Sequence, residues 1–132
     1  MHTALICVLI AGLMPYLWTI VAKLNDPRYD NVDVRGWQAR LTGLPHRATA
    51  AHLNSFEAFP LFAAAVLVAF ATGAEPGRVA LLSTAFVGLR LLYGAVYLLN
   101  LASLRSLVWF AAMACTVTIF ISALSALGSS QP

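Results

Sequence analysis

Charge is what this sequence has least of. Only 10% of its 132 residues are Asp, Glu, Lys or Arg, against 61% hydrophobic ones, and the mean hydropathy is +0.82. A water-soluble domain of this length needs a far more polar surface, so the composition points to an integral membrane protein. The basic residues form no stripe and gather mainly in one loop, which argues against a nucleic-acid partner. Cysteine is scarce too. Cys7 and Cys115 both lie in apolar runs without metal-ligand spacing, so no metal site and no disulfide is expected. Tandem repeats and low-complexity tracts are missing. Residues 1–22 carry no basic leader and no cleavage site, so they read as a retained membrane helix.

What the chain does have is four apolar segments, roughly 3–22, 47–72, 78–100 and 106–128. Each approaches the ~20 residues that cross a ~30 Å hydrocarbon core as a helix. Pro15 is expected to kink the first, with a neighbouring helix satisfying the freed backbone. The connections TGAEPG (72–77) and NLASLR (100–105) are too short for anything but antiparallel neighbours. The expected fold is therefore all-α: a single domain over 1–132, a four-helix up-down-up-down membrane bundle. Lys23, Arg28, Arg35, Arg40 and Arg47 flank or occupy the long loop 23–46, and Arg105 shares their side. Only Arg78 lies opposite. The positive-inside rule then places that loop in the cytoplasm and both termini outside the cell (inner) membrane. Asp26, Asp30, Asp33 and Pro27 suggest that the loop is ordered, whereas the GSSQP tail is expected to fray.

Ionisable residues inside a span mark a functional site by default. Glu57 of the second span and Arg90 of the third stand ~15 and ~16 Å below the cytoplasmic edge at the helical rise. Arg47, Ala50, Asn54 and Glu57 fall on one face, as do Arg90, Tyr93, Tyr97 and Asn100 on the next helix. The two faces outline a polar slot open to the cytoplasm, with Glu57 and Arg90 at its floor. His52 points elsewhere and reads as a satisfied or interfacial histidine. A Glu–Arg pair alone serves equally well to hold helices in register. Asn54, Tyr93, Tyr97 and Arg105 are more than such a pair needs, and they suit a small anionic, hydrogen-bonding guest.

Three motifs in order carry a family resemblance. NSFEAFPLF (54–62), RLLYGAVY (90–97) and LRS (104–106) resemble the MAPEG family, the membrane-associated proteins of eicosanoid and glutathione metabolism. The chain looks most like its bacterial-type members, and is similar to microsomal glutathione transferase and leukotriene-C synthase. The resemblance implies a homotrimer with glutathione as co-substrate and no metal. Arg47, Asn54, Glu57, Arg90, Tyr93 and Tyr97 would bind glutathione, Arg105 would stabilise its thiolate, and Ser106 would assist. Three positions depart from the pattern: Ala50 and Leu53 replace arginines, and Ala58 replaces a tyrosine. Arg47, Arg40 and Lys23 are the cations left to stand in.

The expected function is a glutathione- or other thiol-dependent transferase or peroxidase acting on lipophilic electrophiles or lipid hydroperoxides drawn from the membrane. The alternative is a non-enzymatic membrane protein holding a lipid or small anion in the same slot. A small multidrug exporter fits poorly, because its essential Glu would lie in the first span, which has no charge.

Overall fold

The computed structural model describes residues 1–129. Its helices are α1 (His2–Leu24), α2 (Val34–Ala39), α3 (Gly43–Ala71), α4 (Pro76–Leu98) and α5 (Ala102–Ser129). All but α2 are long and apolar enough to cross a membrane. Gly128 and Ser129 of the tail continue α5, and the last residues of that tail lie outside the described ones.

Small residues draw the helices together. α1 buries Ala4, Cys7, Ala11 and Ala22, and α3 buries Ala48, Ala51, Ser55, Ala65 and Ala69. Ala4, Cys7 and Ala11 on α1, and Ala48, Ala51 and Ser55 and then Ala65 and Ala69 on α3, recur every three or four positions, so each run makes a stripe along which backbones approach closely. The large apolar residues left exposed, such as Leu9, Leu13, Leu67, Phe70, Leu81 and Leu107, face where lipid tails would lie. α3 and α4 form the central pair and α1 and α5 flank it, with α1 packed along α3 and α5 along α4. At the centre Phe62 stacks on Phe86, ring centroids 3.9 Å apart.

Both short connections close with the same hydrogen-bond pattern. After α3, Gly73 takes φ +68°, and Ala74 N–H reaches back to the Ala69 carbonyl. After α4, Asn100 takes φ 59° while Leu101 N–H bonds the Val96 carbonyl. These are Schellman ends, which need a left-handed residue just past the helix. Asn100, expected to extend the polar face of α4, is instead an exposed turn residue. α4 then starts on Pro76, with the Glu75 carboxylate accepting from the N–H groups of Gly77 and Arg78.

Pro15 lies within α1, and His52 of α3 meets it. The His52 Nδ1 is 2.9 Å from the Pro15 carbonyl oxygen and 2.8 Å from Thr19 Oγ1. A carbonyl only accepts, so its contact is a hydrogen bond in the tautomer that carries the proton on Nδ1, whereas the Thr19 hydroxyl can pair with either tautomer. On the loop side, α2 folds across the bundle end and buries Trp37 against Ala22, Leu41 and Ala48. Arg28 Nε and Nη2 donate to Asp26, which also receives the Trp37 indole N–H. The loop is thereby held by specific bonds.

Candidate functional site

Polar side chains of α3, α4 and α5 converge in the loop-side half of the bundle. Arg90 is 2% exposed. Its Nη2 donates to Asn54 Oδ1 at 3.0 Å and to Ser55 Oγ at 3.4 Å. Since the Asn54 oxygen faces Arg90, its amide nitrogen points the other way, donating to Glu57 Oε2 at 3.2 Å. The Glu57–Arg90 floor expected at matched depth is therefore bridged by an amide. Among the described residues, the ion pairs are Arg28–Asp26 and Arg40–Asp33, so Arg90 is a buried cation held by neutral groups. Glu57 itself is exposed.

Aromatic rings of α4 carry the guanidiniums. The Arg90 guanidinium carbon sits 4.4 Å from the Tyr93 centroid, and that of Arg105 sits 4.3 Å from the Tyr97 centroid. The two rings meet edge to face at 5.6 Å. The ring orients the Arg105 guanidinium without consuming its N–H donors, so it stays available to an anion, whereas Arg90 also donates to Asn54 and Ser55. Arg105 follows directly from the short α4–α5 turn, which sets it one turn into α5 beside Tyr97. Ser106 is exposed and donates to the Ala102 carbonyl at 3.3 Å. That leaves its oxygen lone pairs free to accept.

Between these groups lies a cleft of about 320 Å³ lined by Asn54, Tyr93, Arg105, Ser106, Trp109 and Phe110. The size suits a small-molecule ligand. Of the residues expected at the site, Asn54, Tyr93, Arg105 and Ser106 line the cleft. Tyr97, Arg90 and Glu57 adjoin it through direct contacts with those four.

Arg47 is not brought in. Its Nε donates to the Leu98 carbonyl at 2.9 Å, satisfying an acceptor that the end of α4 would otherwise leave open. Nor do the other stand-in cations line the cleft: Lys23 lies over the Tyr29 ring and Arg40 lies 3.9 Å from Asp33. Sequence reasoning missed Ser55, Trp109 and Phe110. Trp109 was recoverable, since it lies one helical turn beyond Arg105 and so shares its face. Ser55 carried no such signal, because a lone serine next to an asparagine is common on any helix. No group of three or more His, Cys, Asp or Glu among the described residues is arranged to hold a metal ion.

A model of the MAPEG family matches residues 3–125. No curated protein and no solved structure matches the chain significantly. The family match runs from the first turn of α1 to the last turns of α5 and takes in every residue of the cleft. This chain, with its four membrane-crossing helices, belongs to the MAPEG family and is a multi-pass membrane protein.

Proposed function

We propose that the protein uses glutathione, or a similar thiol, to attack lipophilic electrophiles or hydroperoxides that reach the cleft from the bilayer. The observation that carries this reading is Arg105 over Tyr97 at the cleft wall. A thiolate is the reacting form, and a fixed guanidinium whose donors are free favours that anion. In transfer, the sulfur forms a bond to the electrophilic carbon and the leaving group or π-electron pair departs. With a hydroperoxide, the sulfur takes the distal oxygen and the alcohol leaves; a second thiol then yields disulfide and water. Ser106 assists as a hydrogen-bonding hydroxyl. Glu57 suits an ammonium group of the thiol peptide, while Asn54 and Tyr93 suit its amides.

The same reading includes a homotrimer in the cell membrane, with loop 23–46 cytoplasmic and both termini outside. Glu57 supports the oligomer: a carboxylate exposed deep along a membrane helix needs cover that one subunit does not supply. A second reading, a lipid- or anion-binding protein without catalysis, has one observation in its favour. With Arg47 turned onto the Leu98 carbonyl, Arg105 is left as the one cation among the residues lining the cleft.

Calorimetry of glutathione with the purified protein, alongside Glu57→Gln and Arg105→Ala, separates the two. Binding that Glu57→Gln weakens, with turnover lost and binding kept in Arg105→Ala, is the expected result. No heat at millimolar glutathione would favour the anion or lipid reading instead.

A further inference from the structure

Trp109 belongs to two spaces at once. It lines the polar cleft with Arg105 and Asn54. It also lines a separate cavity of about 10 Å³ at the α3–α5 seam, backed by α4, with Ala58, Leu61, Arg90 and Met113. That second space is room for one water at most. Its walls are mainly apolar, and Leu61 is 44% exposed one turn beyond Glu57 on the same face of α3. Met113 lies one turn beyond Trp109 on α5, so the seam runs from the cleft toward the middle of the bilayer. The indole is the side chain common to both linings, and Arg90 stands beside it against Asn54 and Tyr93.

Phe110 keeps the indole in place. The two rings meet edge to face, with centroids 5.1 Å apart and planes at 84°. Trp109 itself is half-buried, so its large flat body is packed on the seam side and presented on the cleft side. A substrate anchored by a sulfur at Arg105 would lie along α5 and meet this ring one turn later.

We infer that Trp109 is a specificity-determining partition, which ends the cleft and restricts it to compact lipophilic electrophiles. This rests on the thiol-dependent reading above and narrows it: a long acyl chain running down the α3–α5 seam is excluded while the indole stands there. Replacing the indole by a methyl group joins the cleft to the seam between Leu61 and Met113. The added length is then apolar and takes methylenes rather than charge.

The test uses S-methylglutathione and S-decylglutathione, product analogues with the same peptide and different tails. Their affinities are measured by calorimetry on the full chain in lipid nanodiscs, for the natural protein, Trp109→Ala and Trp109→Phe. The natural protein is expected to bind the decyl compound no more tightly than the methyl one. Trp109→Ala should raise the decyl-to-methyl affinity ratio about tenfold, the gain from burying roughly two further methylenes. Trp109→Phe should fall between and shows that the protein tolerates change at this position. If both compounds bind and their ratio is the same in all three proteins, the partition is wrong and the thiol reading stands. A natural protein that already prefers the decyl tail also overturns it. If neither compound binds any of the proteins, the thiol reading fails and the partition fails with it.

Discussion

Arg105 and Tyr97 are joined by a contact that holds a charge without neutralising it: the guanidinium carbon lies 4.3 Å from the ring centroid. An acidic partner would hold the arginine as firmly but would cancel the field that a thiolate needs. A ring of the same reach orients the cation and leaves it positive. The phenol hydroxyl is not needed for this. Tyr97→Phe should therefore keep thiol-dependent turnover within about twofold, whereas Tyr97→Leu, which removes the ring, should lower it roughly tenfold. Arg105→Ala should cost ~10²-fold or more, the scale of a lost transition-state charge partner. Steady-state rates with a fixed electrophile read all three. Equal losses in Tyr97→Phe and Tyr97→Leu would shift the role from the ring to the hydroxyl.

Asn54 mediates between a buried cation and an exposed acid. Its oxygen takes Arg90 and its nitrogen reaches Glu57, so one amide fixes both neighbours. Asn54→Leu would leave the Arg90 guanidinium with the longer hydrogen bond to Ser55 and the face of the Tyr93 ring. Stranding a buried charge in this way should cost ~3 kcal/mol, seen as a lower midpoint in thermal unfolding in detergent. Asn54→Asp should restore the stability, since a carboxylate accepts from Arg90 more strongly. It should nevertheless weaken thiol binding, because it removes the donor to Glu57 and sets two acids side by side. A variant in which stability and binding fell together would argue against this division of labour.

The membrane helices and their order could be read from hydropathy because the bilayer leaves the backbone so few choices. The polar faces were legible for the same reason: Asn54, Arg90, Tyr93 and Tyr97 stand out against an apolar background. What escaped were choices made between equivalent partners. Arg47 had a carboxylate-bearing guest and a helix-end carbonyl within its means, and its Nε bonds the carbonyl of Leu98. Asn100 fits a helix face and a left-handed turn equally well by type, and the short α4–α5 connection put it in the turn. Matched depth suggested that Glu57 and Arg90 meet, but depth does not reveal that a neighbouring amide reaches the arginine first.

Gly94 lies one turn past Arg90, and α1 leans directly on it. A Cβ placed there would be 1.9 Å from Cζ2 of Trp18. The clash involves a buried ring rather than the tip of a flexible chain, so the helices must separate. Gly94→Ala should destabilise the bundle by roughly 1–3 kcal/mol, the usual range for overpacking. Trp18→Phe removes the part of the indole that collides. The double variant should recover part of the loss, and so depart from additivity. Unfolding midpoints of the four proteins measure that coupling. Strict additivity would mean that the two side chains do not share this space.

The loop has an acid-sensitive fastening. The Arg28 side chain, and then its backbone N–H, hold the Asp26 carboxyl below its ordinary pKa, with smaller help from the Trp37 indole. A carboxyl that binds its proton less readily when folded stabilises the fold fully above the unfolded value of about 4. That contribution is lost as pH falls through the lower, folded value. Between pH 5 and 8 the loop should therefore be unaffected by pH, and it should loosen only in stronger acid. Trp37 reports this directly once Trp18→Phe and Trp109→Phe have removed the other tryptophans. Its emission should stay blue through the neutral range and shift red at pH values well below 4. Asp26→Asn, which keeps the shape but removes the charge, should show the red shift already at neutral pH. An unchanged spectrum in that variant would mean that apolar packing on Ala22, Leu41 and Ala48, rather than the carboxylate, keeps α2 in place.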